Sequence, residues 1–284
     1  MLRSKVLGLL PRAMSISSSS RQMSTATKLT IVEVNDKTGI ATLSLNRPTI
    51  NGLNLQLLQD LQQSIKDIES NKSTGLILTS ANSKVFSAGI DIHEMYKPDK
   101  ERVRLLWTTL QDIWVALYGS KVPTAAAING HAPAGGCLLA TSLEYRVMLP
   151  NFRIGFNETQ LGMTVPIFCI FNYLNVLPRR LAERALNQGH MFTTEEAVQL
   201  GMVDDVAQSK EEALEKCAQF IGSFAKVNPV ARSLTKLQFR AADLQRFEKE
   251  RQKDLDIFMT FINDPQMQEQ LGVYLQNLSK KAAN

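Results

Sequence analysis

Cysteine and histidine are scarce, three of each in 284 residues. Cys137, Cys169 and Cys217 lie too far apart for a CxxC pair or a disulfide framework. His93, His131 and His190 form no HExxH and adjoin no cysteine pair, so no metal site is expected. No G-x-S-x-G occurs, so nucleophilic serine catalysis is not indicated. No apolar run approaches the roughly 20 residues of a membrane-spanning helix, and no stable membrane insertion is expected. Acidic residues are missing from one stretch, since no Asp or Glu precedes Glu33.

That stretch holds Arg3, Lys5, Arg12, Arg21 and Lys28, which account for the whole net charge of +5. The other 27 basic residues match 27 acidic ones. Leu2, Val6, Leu9 and Ala13 recur at helical spacing within a basic, Ser/Thr-rich segment, the traits of a mitochondrial transit peptide. Residues 1–28 are therefore expected to be an address, with cleavage near Arg21-Gln22-Met23. The apolar run Val6–Leu10 is too short for a secretory signal, and Pro11 follows it. No nucleic-acid partner is expected, because the Lys/Arg clusters at 226–240 are balanced by acids across the rest of the chain.

The chain as a whole has 44% hydrophobic residues, ample for a packed core. LTIVEV (29–34) and ATLSLN (41–46), joined by a turn-rich link, read as a β-hairpin. Leu55, Leu58, Leu61, Ile65 and Ile68 form a helical stripe that Asn54 can cap. GLILTS (75–80) reads as a buried strand, and a helix carrying Leu105 to Leu117 ends at Tyr118-Gly119. VPTAAAI (122–128) and EYRVML (144–149) read as strands on either side of a small-residue helix. Strand and helix thus alternate as in an α/β fold. Past residue 155 every segment reads as helix: 158–162, 166–176, 179–188, 194–200, 209–226, 229–246, 249–262 and 265–281. Thr194 is the expected start of one and Gly201 its stop.

Three loops stand out. Phe86-Ser87-Ala88-Gly89-Ile90-Asp91-Ile92 follows a strand, with small residues that let a backbone approach a ligand. Asn129-Gly130-His131-Ala132-Pro133-Ala134-Gly135-Gly136-Cys137 opens a helix. It is not a phosphate loop, because Gly136 stands where the lysine would be, nor is it G-x-G-x-x-G. Its free N–H groups could hold a negative oxygen, or its glycines could simply serve tight helix–strand packing. Ile154-Gly155-Phe156-Asn157-Glu158-Thr159-Gln160-Leu161-Gly162 offers Asn157 as an N-cap and Glu158 in the first turn. Taken alone, Glu158 reads as a surface acid complementing a helix dipole.

Together, F-S-A-G-I-D-I, I-N-G-x-x-P-A-G-G and N-E-T-Q-L-G make the chain resemble the crotonase (enoyl-CoA hydratase/isomerase) superfamily over about residues 30–260. It is most similar there to the mitochondrial Δ3,Δ2-enoyl-CoA isomerases. The resemblance implies a crotonase-like spiral of βαβ units (29–200) and a helical C-terminal region (201–284). It implies an acyl-CoA substrate with no separate cofactor, a homotrimer or a dimer of trimers, and the mitochondrial matrix. Carried over residue by residue, it makes the N–H groups of Ile90 and Gly135 an oxyanion hole. It makes Ala88, Gly89, Ile90, Asp91, Ile92, Gly135, Leu138 and Asn157 substrate-binding, and Glu158 the catalytic acid/base. Family hydratases carry a second glutamate one turn past the Gly135 position, where this chain has Leu138. That departure implies isomerisation of 3-enoyl-CoA rather than hydration. A 2-enoyl-CoA hydratase, another acyl-CoA enzyme of this type and a non-catalytic RNA-binding relative are the alternatives.

Overall fold

A computed structural model of the chain describes residues 28–282, so the expected address at 1–28 lies almost wholly outside the described residues. The hairpin forms as expected, from β1 (Thr30–Val34) and β2 (Ile40–Leu45). Asn54 caps α1 (Leu55–Ser70) through its side chain, which accepts from the Leu57 N–H. Then come β3 (Gly75–Ser80), the short α2 (Ile92–Met95) and α3 (Lys100–Tyr118), the last capped by Asp99. β4 (Thr124–Ile128), β5 (Ala132–Pro133), α4 (Gly135–Thr141), β6 (Tyr145–Met148) and β7 (Arg153–Gly155) follow. A 3-10 turn at Glu158–Leu161 leads to α5 (Ile167–Val176), α6 (Arg179–Gln188), β8 (Phe192–Thr193) and α7 (Thr194–Gln199). The chain continues through β9 (Asp205–Val206), α8 (Lys210–Gly222), α9 (Pro229–Ile262) and α10 (Pro265–Ala282).

The main sheet runs β1-β2-β3-β4-β6-β9, and every pairing after the hairpin is parallel. The parallel strands are ordered along the sheet as they are in the chain, with helices in every connection, which matches the βαβ architecture expected from the sequence. Leu76, Leu78, Ala126 and Ile128 face the large core, while Ile77, Ala125 and Ala127 face a smaller one closed by Ala213, Cys217 and Ile221 of α8. Burial on both faces explains why these strands read as unbroken apolar runs.

Three expectations need correction. The region past residue 155 is not helical throughout, since β8 and β9 interrupt it with two-residue strands; β7 just before it was also unforeseen. The cap of α7 is Thr193, one residue before the Thr194 that opens the helix: its hydroxyl accepts from Glu196 N–H while the Glu196 carboxylate takes the Thr193 N–H, a capping box. The helices expected at 229–246 and 249–262 are one. Asn228 caps it with Pro229 in its first turn, and no glycine or proline interrupts it before Pro265.

β5, β7 and β8 form a second, three-stranded sheet. Ala132 and Pro133 pair in parallel with Ile154 and Gly155, and the Ala134 N–H adds a bond of 2.8 Å to the Gly155 carbonyl. This ribbon sets the second glycine loop beside the segment that carries Glu158.

Candidate active site

The first two loops touch through their glycines. A Cβ on Gly130 would lie 2.5 Å from the Val85 nitrogen, and one on Gly136 only 2.4 Å from the Ser87 carbonyl oxygen. One on Gly89 would lie 2.8 Å from Ala134 Cβ and 3.0 Å from the Gly135 nitrogen. The packing reading of these glycines is therefore correct, and it has a consequence for the backbone. Close contact of Gly89 with Gly135 sets Ile90 and Gly135 side by side on one cavity wall. Among the described residues neither the Ile90 nor the Gly135 N–H has a hydrogen-bond acceptor. Ala134, just before α4, sits at φ 48°, a conformation that costs a non-glycine residue roughly 1–3 kcal/mol.

A loop that sequence reading passed over holds the first of these N–H groups in place. Asn51, 1% exposed, donates from its amide to Ser80 Oγ and to the Phe86 carbonyl, and its own carbonyl accepts from Ser87 Oγ. The Ile50 carbonyl takes the Ala88 N–H, and Leu53 both donates to the Gly89 carbonyl and accepts from Asp91 N–H. Every neighbour of the Ile90 peptide is tied down.

The cavity encloses about 410 Å³. Ala88, Ile90, Ile92, Gly135, Leu138, Asn157 and Glu158 all line it, so most of the sequence-derived set converges on one space. Gly89 and Asp91 do not. Gly89 is buried against Ala134, and Asp91 caps α2 while its carboxylate pairs with Arg47 at 2.7 Å. Asn157 holds the N-cap position expected of it, but its side chain makes no capping bond, and its Oδ1 is buried without a hydrogen-bond partner.

Glu158 is not a surface acid. It is 8% exposed, and its Oε2 is also buried without a partner. Burial among Leu138, Leu161, Met163, Phe168 and Cys169 raises its pKa to about 7, with its own backbone N–H offsetting part of the rise. Phe156, two residues before Glu158, packs on Tyr173. Such an unsatisfied carboxylate is costly in a core and common at sites that move protons. Leu138 is 1% exposed and shares the cavity wall with it.

Sequence reading also missed the far wall, made by Trp107, Phe168, Asp254 and Phe258. A signal was there: Asp254 lies seven residues after Phe247 and four before Phe258, on the apolar face of α9 rather than its charged one. Among the described residues no group of three or more His, Cys, Asp or Glu side chains could hold a metal ion.

The family described as enoyl-CoA hydratase/isomerase matches residues 35–281. The chain belongs to that family. It is 36% identical over 257 residues to the mitochondrial enoyl-CoA delta isomerase 1 of Rattus norvegicus, covering 89% of each chain. The 2,3-dehydroadipyl-CoA hydratase of Escherichia coli is more distant, at 27% identity over 82% of this chain and 91% of that one. The crystal structure of the human mitochondrial delta3-delta2-enoyl-CoA isomerase superposes with a TM-score of 0.85 at 36% identity, covering 89% of this chain and 99% of that chain. An enoyl-CoA hydratase of Bacillus halodurans, at 19% identity and TM-score 0.79 over 86% of this chain and 99% of its own, shares the fold alone. The crotonase-like architecture expected from the three loops is the one observed.

Proposed function

We propose that this protein is a Δ3,Δ2-enoyl-CoA isomerase that shifts a cis or trans 3-double bond to 2-trans, an auxiliary step in the β-oxidation of unsaturated fatty acids. The observation that carries this reading is the buried Glu158 carboxylate, one oxygen of it unpartnered, in the cavity that the free N–H pair lines, with Leu138 where a hydratase needs a second acid. The 36% identity to delta isomerases supports it.

The thioester oxygen binds at the Ile90 and Gly135 N–H groups, and the Ala88–Ile92 loop lines the path of the CoA arm. Glu158, as carboxylate, takes a proton from C2. The electron pair moves toward the thioester oxygen to give a dienolate, whose charge the two N–H donors stabilise. Glu158 then returns the proton at C4, which leaves the double bond between C2 and C3 and the carboxylate restored. Asn157 lies beside the acyl chain. Leu138 keeps water from the dienolate. No resident cofactor takes part, because CoA enters as part of the substrate.

The basic, acid-free residues 1–28 and the mitochondrial relatives support a matrix location. A homotrimer, or two stacked, accounts for exposed Val230, Leu234 and Phe239 on α9, which a subunit contact would cover.

The test is the pH dependence of kcat/KM on a 3-enoyl-CoA, with 2-enoyl-CoA hydration as the comparison. Because the base must be ionised, kcat/KM should rise about tenfold per unit below pH 7 and level off above it. Leu138→Glu adds a like charge, so the Glu158 pKa should rise further and the rate at pH 7 fall by on the order of tenfold. Hydration of 2-enoyl-CoA should then emerge above background. Faster hydration than isomerisation by the wild type would support the hydratase reading instead.

A further inference from the structure

The cavity has two unlike sides. Near Ile257 and Tyr274 it is bordered by exposed side chains, 39% and 42% accessible. Its lining also includes Met95, Trp107, Leu110, Phe168 and Phe258, all buried. Trp107 of α3 and Phe258 of α9 stand in this buried lining as a stacked pair, with ring centroids 3.8 Å apart and planes within 6° of parallel. The indole is also fixed in rotation. Its Nε1–H donates to Asp254 Oδ2 at 2.9 Å, and Gln111 Nε2 donates to the same oxygen at 2.9 Å. Asp254 is 8% exposed, and burial raises its pKa while these donors oppose the rise. A carboxylate so buried is retained at a cost unless it has bonds to make, and here its bonds lock one ring of the stack.

We propose that the Trp107–Phe258 stack is the stop that sets how long an acyl chain the enzyme accepts, with Asp254 as the residue that positions Trp107. The proposal rests on the isomerase reading, and it adds the substrate's chain length to it. An acyl chain entering past Glu158 reaches a wall that cannot rotate aside, because one ring is hydrogen-bonded and the other is stacked on it. Each methylene that a closed apolar pocket accepts or refuses is worth roughly 10–200-fold in kcat/KM.

The experiment measures kcat/KM of the purified protein on 3-enoyl-CoA esters of 6, 8 and 12 carbons. In Phe258→Ala the ratio of 12-carbon to 6-carbon kcat/KM should rise by about tenfold or more. Trp107→Phe keeps a ring but removes the N–H, and should raise the ratio by less. Asp254→Leu should match Trp107→Phe, and Asp254→Asn, which keeps an acceptor oxygen, should restore the wild-type ratio. A ratio unchanged across these folded variants overturns the proposal. So does a ratio that Asp254→Asn shifts as far as Asp254→Leu, since Asp254 would then act through its charge and not by positioning the indole. If Phe258→Ala does not fold, Phe258→Leu is read in its place. Calorimetric binding of saturated hexanoyl-CoA and dodecanoyl-CoA should show the same shift without turnover. A wild type that binds both esters but converts no 3-enoyl-CoA overturns the isomerase reading, while the shift in binding still decides for or against the wall.

Discussion

Glu158→Gln should lower isomerase kcat by about 10²–10⁴, the range a positioned general base contributes, while the KM for 3-enoyl-CoA changes little. Glutamine keeps the size and polarity of the side chain but cannot accept the C2 proton. No other carboxylate stands ready to replace it, since Asp254, the other acid on the cavity wall, is bound to Trp107 and Gln111. The same substitution should make the protein more stable at neutral pH. The pKa of Glu158 rises on folding to about 7, so between the ordinary carboxylate range and pH 7 the native state holds more protons than the unfolded one. The carboxylate's destabilising contribution therefore grows as pH rises through that window and is constant above it. A neutral glutamine avoids it, with an expected gain of about 3 kcal/mol above pH 7 and none near pH 4. Denaturant melts of both proteins at pH 4.5 and pH 8 give the comparison, and equal gains at the two pH values would refute the titration. Lower activity joined to higher stability marks a group kept for chemistry.

Gly135→Ala should lower kcat by about 10²–10³, the usual result of losing one oxyanion donor. The new Cβ would lie 2.7 Å from Leu53 Cδ1 and 3.1 Å from Gly89 Cα. The leucine can swing away, but Gly89 is backbone and carries the Ile90 peptide with it. One methyl group thus displaces both donors while Glu158 stays in place. The control is Gly222→Ala at the end of α8, where an added Cβ meets nothing within 4 Å. Its kinetics should be those of the wild type. Wild-type kcat in a folded Gly135→Ala protein would show that the free N–H pair does not carry the developing charge.

The parts of this protein that were legible in the sequence are those whose pattern is local. Period-2 and unbroken apolar runs marked β1 to β4 and β6, and helical spacing marked α1 and α3. The three loops were legible because small residues and an acid recur there in a family-specific order. What pulls them together was not legible, because it rests on pairings too short to carry a periodicity. β5 and β7 have two and three residues, yet their register sets Gly135 beside Glu158. Burial of Glu158 was hidden for a related reason: an acid in a first turn looks the same in sequence whether it meets water or Leu138 and Phe168. Asp254 was missed because the charges around it on α9 do face solvent, and only its offset from Phe247 and Phe258 puts it inward.

The most direct measurement follows the hydrogen itself. A 3-enoyl-CoA carrying deuterium at C2 is converted in ordinary water, and the 2-enoyl-CoA product is read by mass spectrometry and NMR. Glu158 is shielded from solvent, so if it serves both carbons deuterium should appear at C4 of the product. Turnover that places only solvent hydrogen at C4, or no turnover at all, would contradict a single buried carboxylate carrying the proton from C2 to C4.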